Sequence, residues 1–200
     1  MVAEFNRQLD SWRLLLPHSL QWLDHQGLQL AQLRSAPTST STGHSTVHMS
    51  TQVRRGRVYD IMLAQLHSRY SYARYLIHRP FIYKSLHFPE LMSQRDEMNC
   101  ALAIRSACLW PILTSPSVEN KRLIPHLFSW TQNFTSILFI MASVREDNYL
   151  RQICEANLDL SAVRTTTKLM LEWLQSVEKI DGVADWCRQV LLPLYQDSLF

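Results

Sequence analysis

Leu160, Val163, Thr167, Met170, Leu174 and Val177 recur at 3-4-3-4-3 spacing, and only an α-helix gathers such a set onto one face. The same rule reads Val2 to Leu16 as a helix, with Phe5, Leu9, Trp12 and Leu16 at helical spacing and Pro17 ending or kinking it. Leu20-Gln21-Trp22 is expected to dock back on that helix. Val58 to His78 is a third candidate, with Val58, Met62, Leu66, Ala73 and Ile77 along one stripe. Pro80 is expected to close or bend it, with Phe81 to Leu86 adding another turn or two.

Arg95 to Leu109 reads as a helix ended by Trp110-Pro111. Asn120 to Val144 is the most apolar segment, with Pro125 near its start, where proline is tolerated. Ile124, Phe128, Phe134, Leu138 and Met141 line its main face, while Ile137, Phe139 and Ile140 add apolar surface elsewhere. A helix apolar on most sides is predicted to be the central one. Asp181-Gly182 is expected to stop the helix of Leu160 to Val177, and Ala184 to Leu192 forms a last one before Pro193.

No stretch sustains the period-two alternation of a half-buried strand. The chain also has only 4 glycines, too few for the turns of an all-β or dinucleotide-binding architecture. The expected fold is all-α, an irregular helical bundle or array of about six to eight helices. Its 200 residues suit one domain and can bury a sizeable core. From Arg34 to Gly56, ten of 23 residues are Ser or Thr, which is read as a flexible loop inside that domain.

The net charge of +3 is mild, and 16 of the 20 basic residues are Arg, a choice suited to planar, partly buried ion pairs. A dedicated nucleic-acid binder would carry a stronger basic bias. Cys100, Cys108, Cys154 and Cys187 form no C-x-x-C pair, and their gaps fit neither a zinc site nor a small disulfide scaffold. Cys100, Cys108 and Cys154 sit among apolar neighbours and read as small hydrophobes, and the cysteine usage suggests a reducing compartment. Glu4, Arg7, Asp10 and Arg13 exclude a signal-peptide core, and the apolar run Phe134 to Val144 is too short to span a bilayer. An intracellular soluble protein without membrane partners is expected.

The chain carries no nucleophile elbow, no H-E-x-x-H, no P-loop and no dinucleotide fingerprint, so no enzyme, catalytic residue, cofactor site or metal site is predicted. His44 and His48 are four apart but lie in the Ser/Thr-rich stretch without a third ligand, which reads as a solvated pair. In His67 to His87, Arg69, Arg74, Arg79 and Lys84 interleave with Tyr70, Tyr72, Tyr75, Phe81 and Tyr83. Such a segment can track phosphates and stack bases. The reading preferred here is packing, with tyrosine rings in the core and arginines pairing with acids of neighbouring helices. The repeat from Leu160 to Val177 is read as a face buried in its own bundle, with a dimer seam as the alternative. Arg54-Arg55-Gly56-Arg57 resembles a minimal nuclear-import patch, and the neighbouring Ser/Thr run offers phosphate acceptors. Trp130, Phe134 and Leu138 either fill the core or line a pocket beside the central helix.

Four ordered blocks resemble one family. Leu9-Asp10-Ser11-Trp12 with Leu16-Pro17-His18-Ser19-Leu20-Gln21-Trp22 is similar to the L-x-x-W…L-P-x-x-L-x-W element of the fungal-specific transcription factor domain. The Ser/Thr-rich stretch falls where such proteins place a variable insertion. Arg69-Tyr70 and Ala73-Arg74, running into Arg79-Pro80-Phe81-Ile82-Tyr83-Lys84 and Leu86-His87, resemble its R-Y…A-R-x-L-I-x-R-P-F-x-Y-K-x-L-H segment. Lys121 to Phe128 with Trp130-Thr131 resembles the next block. The likeness is to the C-terminal half of the regulatory region of zinc-cluster regulators. It implies a nuclear, helical, non-catalytic regulatory module. Protein partners, a homodimer or a full-length related factor among them, and a small effector are implied as well. The six-cysteine zinc cluster of that family is absent, so zinc and direct DNA reading do not carry over, and DNA would be reached only indirectly.

Overall fold

The computed structural model describes residues 1–22, 49–114 and 127–195. Within them are seven α-helices: α1 (Val2–Leu14), α2 (Met49–His87), α3 (Gln94–Thr114), α4 (Leu127–Glu146), α5 (Asn148–Asn157), α6 (Leu160–Val177) and α7 (Gly182–Tyr195). Single 3₁₀ turns occupy His18–Leu20 and Pro89–Leu91. The fold is all-α, and the described residues contain no strand.

Pro111 and Pro193, expected to end helices, and Pro80, expected to close or bend one, all lie inside helices. Pro80 sits within α2 and Pro193 within α7, and α3 runs past Trp110 and Pro111 to Thr114. A proline removes one amide donor and orphans the carbonyl four residues earlier. For Pro80 that carbonyl belongs to Leu76, and for Pro193 to Gln189. All four residues are exposed, so water can satisfy the orphaned groups.

The helix of Leu160 to Val177 stops before Asp181-Gly182 as expected, and Asp181 serves both neighbours. Its amide donates to the Val177 carbonyl at 3.0 Å, and its Oδ1 accepts the Val183 amide at 3.0 Å, the N-cap bond that satisfies a free first-turn donor of α7. Its Oδ2 accepts from the Thr131 hydroxyl at 3.2 Å, which ties the cap to α4. Helix α5 is an element that the apolar-stripe reading passes over. Asp147 caps it by accepting the Leu150 amide at 2.7 Å, and Leu150, Ile153 and Cys154 bury its inner face. Of the stretch Arg34 to Gly56 read as a loop, residues 49–56 begin α2, and 34–48 lie outside the described residues.

The core is built by α3, α4, α6 and α7, with α2 and α5 against it. Helix α4 takes the central place expected of it, packing on α3, α5, α6 and α7. Phe134, Ile137, Leu138 and Met141 are buried, whereas Phe139 is 40% exposed. From α6, Val163, Met170, Leu174 and Val177 point into this core together with Thr166 and Trp173. The 3-4 repeat is therefore an internal face. The Trp173 ring meets Phe134 edge-on at 4.8 Å, the arrangement that aromatic quadrupoles favour. All four cysteines are free and buried, and desolvation pushes the Cys108 and Cys154 thiols up to about 12. Thiols held protonated in this way act as small apolar groups.

Candidate functional site

Helix α1 is attached differently. None of its residues is fully buried, and its one extensive neighbour is α2. Asn6, Asp10 and Arg13, spaced four and three apart, form the half-buried side facing that neighbour. The Asp10 carboxylate accepts the Tyr70 hydroxyl at 2.6 Å, and the Arg13 guanidinium lies 5.1 Å from the Tyr70 ring centroid. The Asn6 amide lies on Nε2 of His78, with Oδ1 at 3.0 Å and Nδ2 at 2.9 Å, so either imidazole tautomer is satisfied there.

The chain then folds back. Gln21 donates to the carbonyls of Leu14 at 3.3 Å and Leu16 at 2.8 Å, occupying acceptors that the end of α1 leaves free. Expected to dock on α1, this segment in fact divides between two helices. Gln21 returns to α1, but Trp22 stacks on His67 of α2 at 4.5 Å and meets Tyr70 edge-on at 5.5 Å. Trp22 is only 6% exposed.

The electrostatics follow from this burial. His78 is fully buried, its Nδ1 has no hydrogen-bond partner among the described residues, and burial followed by the charge of Arg74 pushes its pKa down. The fold therefore favours neutral imidazole. Burial, then the bond to Asp10, pushes Tyr70 up to about 12. This contribution is complete below pH 10 and is lost as pH rises through about 12. Lys84 bonds Asp96 at 2.7 Å and, with the Ser93 amide and hydroxyl, holds that carboxyl down at about 2.

The apolar stripe of α1 lies beside this docked face and remains largely uncovered. Phe5 is 47% and Trp12 38% exposed, and Leu9 and Leu16 are half-buried. Helix α2 shows the converse. Met62 of its expected stripe is exposed and Leu66, Ala73 and Ile77 are half-buried, whereas His67, Ser68, Tyr70, Ser71, Tyr75 and His78 are buried. The inner face of α2 is thus rich in polar side chains: Tyr70 and His78 bond to Asp10 and Asn6 of α1, and His67 lies against Trp22.

The interleaved aromatic segment divides along the same line. Tyr70 and Tyr75 are buried, the Tyr72 hydroxyl donates to Asn133 at 3.1 Å, and Tyr83 is 60% exposed. Lys84 pairs with an acid, but among the described residues Arg69, Arg74 and Arg79 do not form the expected ion pairs. Arg74 lies instead against the Tyr70 ring at 5.8 Å. Phe134 and Leu138 are fully buried core residues, and the Leu138 carbonyl accepts the Tyr195 hydroxyl. The Trp130 side chain, His44 and His48 lie outside the described residues, and Arg54 to Arg57 fall in the first turns of α2.

Among the described residues, no three His, Cys, Asp or Glu side chains converge as a metal site, and no helix is long and apolar enough to cross a membrane. Asn6 and His78, which with Asp10 and Tyr70 form a polar clasp between α1 and α2, are the members that sequence reasoning did not single out. Polar side chains at i, i+4 and i+7 of an otherwise amphipathic helix were the available signal. Comparison with protein-family models, with curated proteins and with solved structures found no match.

Proposed function

We propose that this chain is a non-catalytic regulatory module of a transcription-factor-like nuclear protein, acting through protein contacts and reaching DNA only indirectly. One observation carries the reading. The residues through which the chain resembles the fungal-specific transcription factor domain, far apart in sequence, meet one another in space. Trp22 and Asp10 of the first block both contact Tyr70 of the second, and Arg74 of the second lies on the same ring. Ile82 is buried in the core, Lys84 anchors the start of α3 through Asp96, and Thr131 of the third block holds the cap of α7. The resemblance therefore runs through positions that hold helices together, which surface coincidences would not do.

The contact surface in this reading is the uncovered stripe of α1, Phe5 with Trp12, carried on a helix that the clasp orients. Aromatic side chains on a preorganised helix are strong anchors for a protein partner. A dimer seam at Leu160 to Val177 is the less favourable alternative, because Val163, Met170, Leu174 and Val177 are buried in the core.

The test places the chain behind a heterologous DNA-binding domain at a reporter promoter in fungal cells. A several-fold change in transcription is expected, reduced by Phe5→Ser with Trp12→Ser. An unchanged reporter, with the fusion folded and nuclear, would contradict the proposal. The isolated chain should show no sequence-selective retention of duplex DNA.

A further inference from the structure

Helix α2 packs chiefly on α3, and a cavity of about 60 Å³ lies between them. A single water needs roughly 10–15 Å³, so the space suits a small polyatomic group. His67, Ser71 and Arg74 reach it from α2, at spacings of four and three. Leu102, Arg105 and Leu109 reach it from α3, at three and four. Each helix thus offers one coherent stripe to the same space.

The chemistry of this lining is one-sided. Arg74, Arg105 and His67 border the cavity, and among the described residues no Asp or Glu does. Among the described residues neither Arg74 nor Arg105 forms an ion pair. Tyr70 and Ser106 also border the space, but their hydroxyl protons are committed, to Asp10 at 2.6 Å and to the Leu102 carbonyl at 2.7 Å. What Arg74 and Arg105 offer a ligand there is donated protons and positive charge. The cavity's apolar wall of Leu102 and Leu109 strengthens attraction to an anion by keeping the local dielectric low. The His67 ring is held in place by the Trp22 stack at 4.5 Å, and Arg74 by its position on Tyr70, so two of the groups are preorganised.

We propose that this cavity binds a phosphate group, as inorganic phosphate or as the terminal phosphate of a small phosphomonoester. Guanidinium forks on opposite walls match a tetrahedral oxyanion, whose oxygens point in several directions, better than a planar carboxylate. The volume accommodates the phosphate alone, so the rest of a monoester would lie outside, toward the exposed Arg105. The site stands on the packing of α2 against α3 and not on the regulatory reading, so each can fail without the other.

The experiment is calorimetric titration of the full chain with inorganic phosphate and, separately, with glycerol phosphate, at constant ionic strength. Saturable binding is expected, weakened about tenfold or more by Arg105→Gln or Arg74→Gln, as for loss of a hydrogen bond to a charged group. Arg74 also packs on Tyr70, so the exposed Arg105→Gln, checked for unchanged helicity, is the decisive variant. Binding of both probes assigns a phosphomonoester site, and binding of phosphate alone assigns a site for the free anion; both support the proposal. Absence of saturable binding by either probe, or binding unaltered in Arg105→Gln, would overturn it. Generic stabilisation by phosphate salts does not saturate and is the same in the variant.

Discussion

The contact of α1 with α2 and the contact of α4 with α6 and α7 join helices by opposite means. In the second, Phe134, Leu138, Leu174 and Leu191 are fully buried, and apolar area removed from water supplies the attraction. In the first, no residue of α1 is fully buried, and the joint consists of directed bonds from Asn6 and Asp10 with a guanidinium over a ring. Hydrogen bonds exchange for bonds to water when they break, so each contributes little net free energy. Apolar burial is indifferent to proton concentration, whereas the polar joint contains His78 and Tyr70, whose protonation it constrains. The molecule thus combines a permanent core with an N-terminal helix fixed in orientation but weakly held.

Substitutions should separate the two regions by size of effect. Phe134→Ala removes a fully buried ring packed on Trp173 and should cost about 3–5 kcal/mol in denaturant unfolding. Tyr70→Phe removes only the proton donated to Asp10. A loss toward the lower end of roughly 1.5–3 kcal/mol is expected, because the half-buried carboxylate can rehydrate. A loss equal to that of Phe134→Ala would erase the distinction between the regions.

The smallest effect is the pH dependence of the clasp. The pKa of His78 is lowered in the fold, so the unfolded chain binds more protons between that lowered value and the ordinary value of 6.5. Stability is therefore complete above 6.5 and declines as pH falls through this window. His78→Gln should flatten the decline measured by thermal unfolding across it. An unchanged slope in the variant would assign the dependence to other groups.

How far the sequence foretold this depends on which physical signal each region carries. The α6 repeat was legible because Val163, Met170, Leu174 and Val177 are apolar and helical period maps directly onto burial. Pro193 misled, and Pro80 left closing and bending both open, because the cost of a helical proline depends on whether water reaches the orphaned carbonyl, a fact of the tertiary structure. The buried face of α2 was misplaced toward Met62 and Ile77, since apolar periodicity cannot recognise a face that buries histidine, serine and tyrosine. Of the clasp, Trp22 and Tyr70 stood out within the family-like blocks, but Asn6 and His78 become visible only as a pair. Their pairing joins positions 72 residues apart, and no local spacing encodes that.

Native-state hydrogen exchange tests the contrast most directly. Amides of α1 should open with a free energy well below the global value shown by α4 and α6. After correction for intrinsic exchange rates, that opening should become easier as pH falls below 6.5, and its gap to the global value should persist, because global unfolding releases His78 as well. Equal opening free energies in α1 and α4, insensitive to pH, would contradict the account.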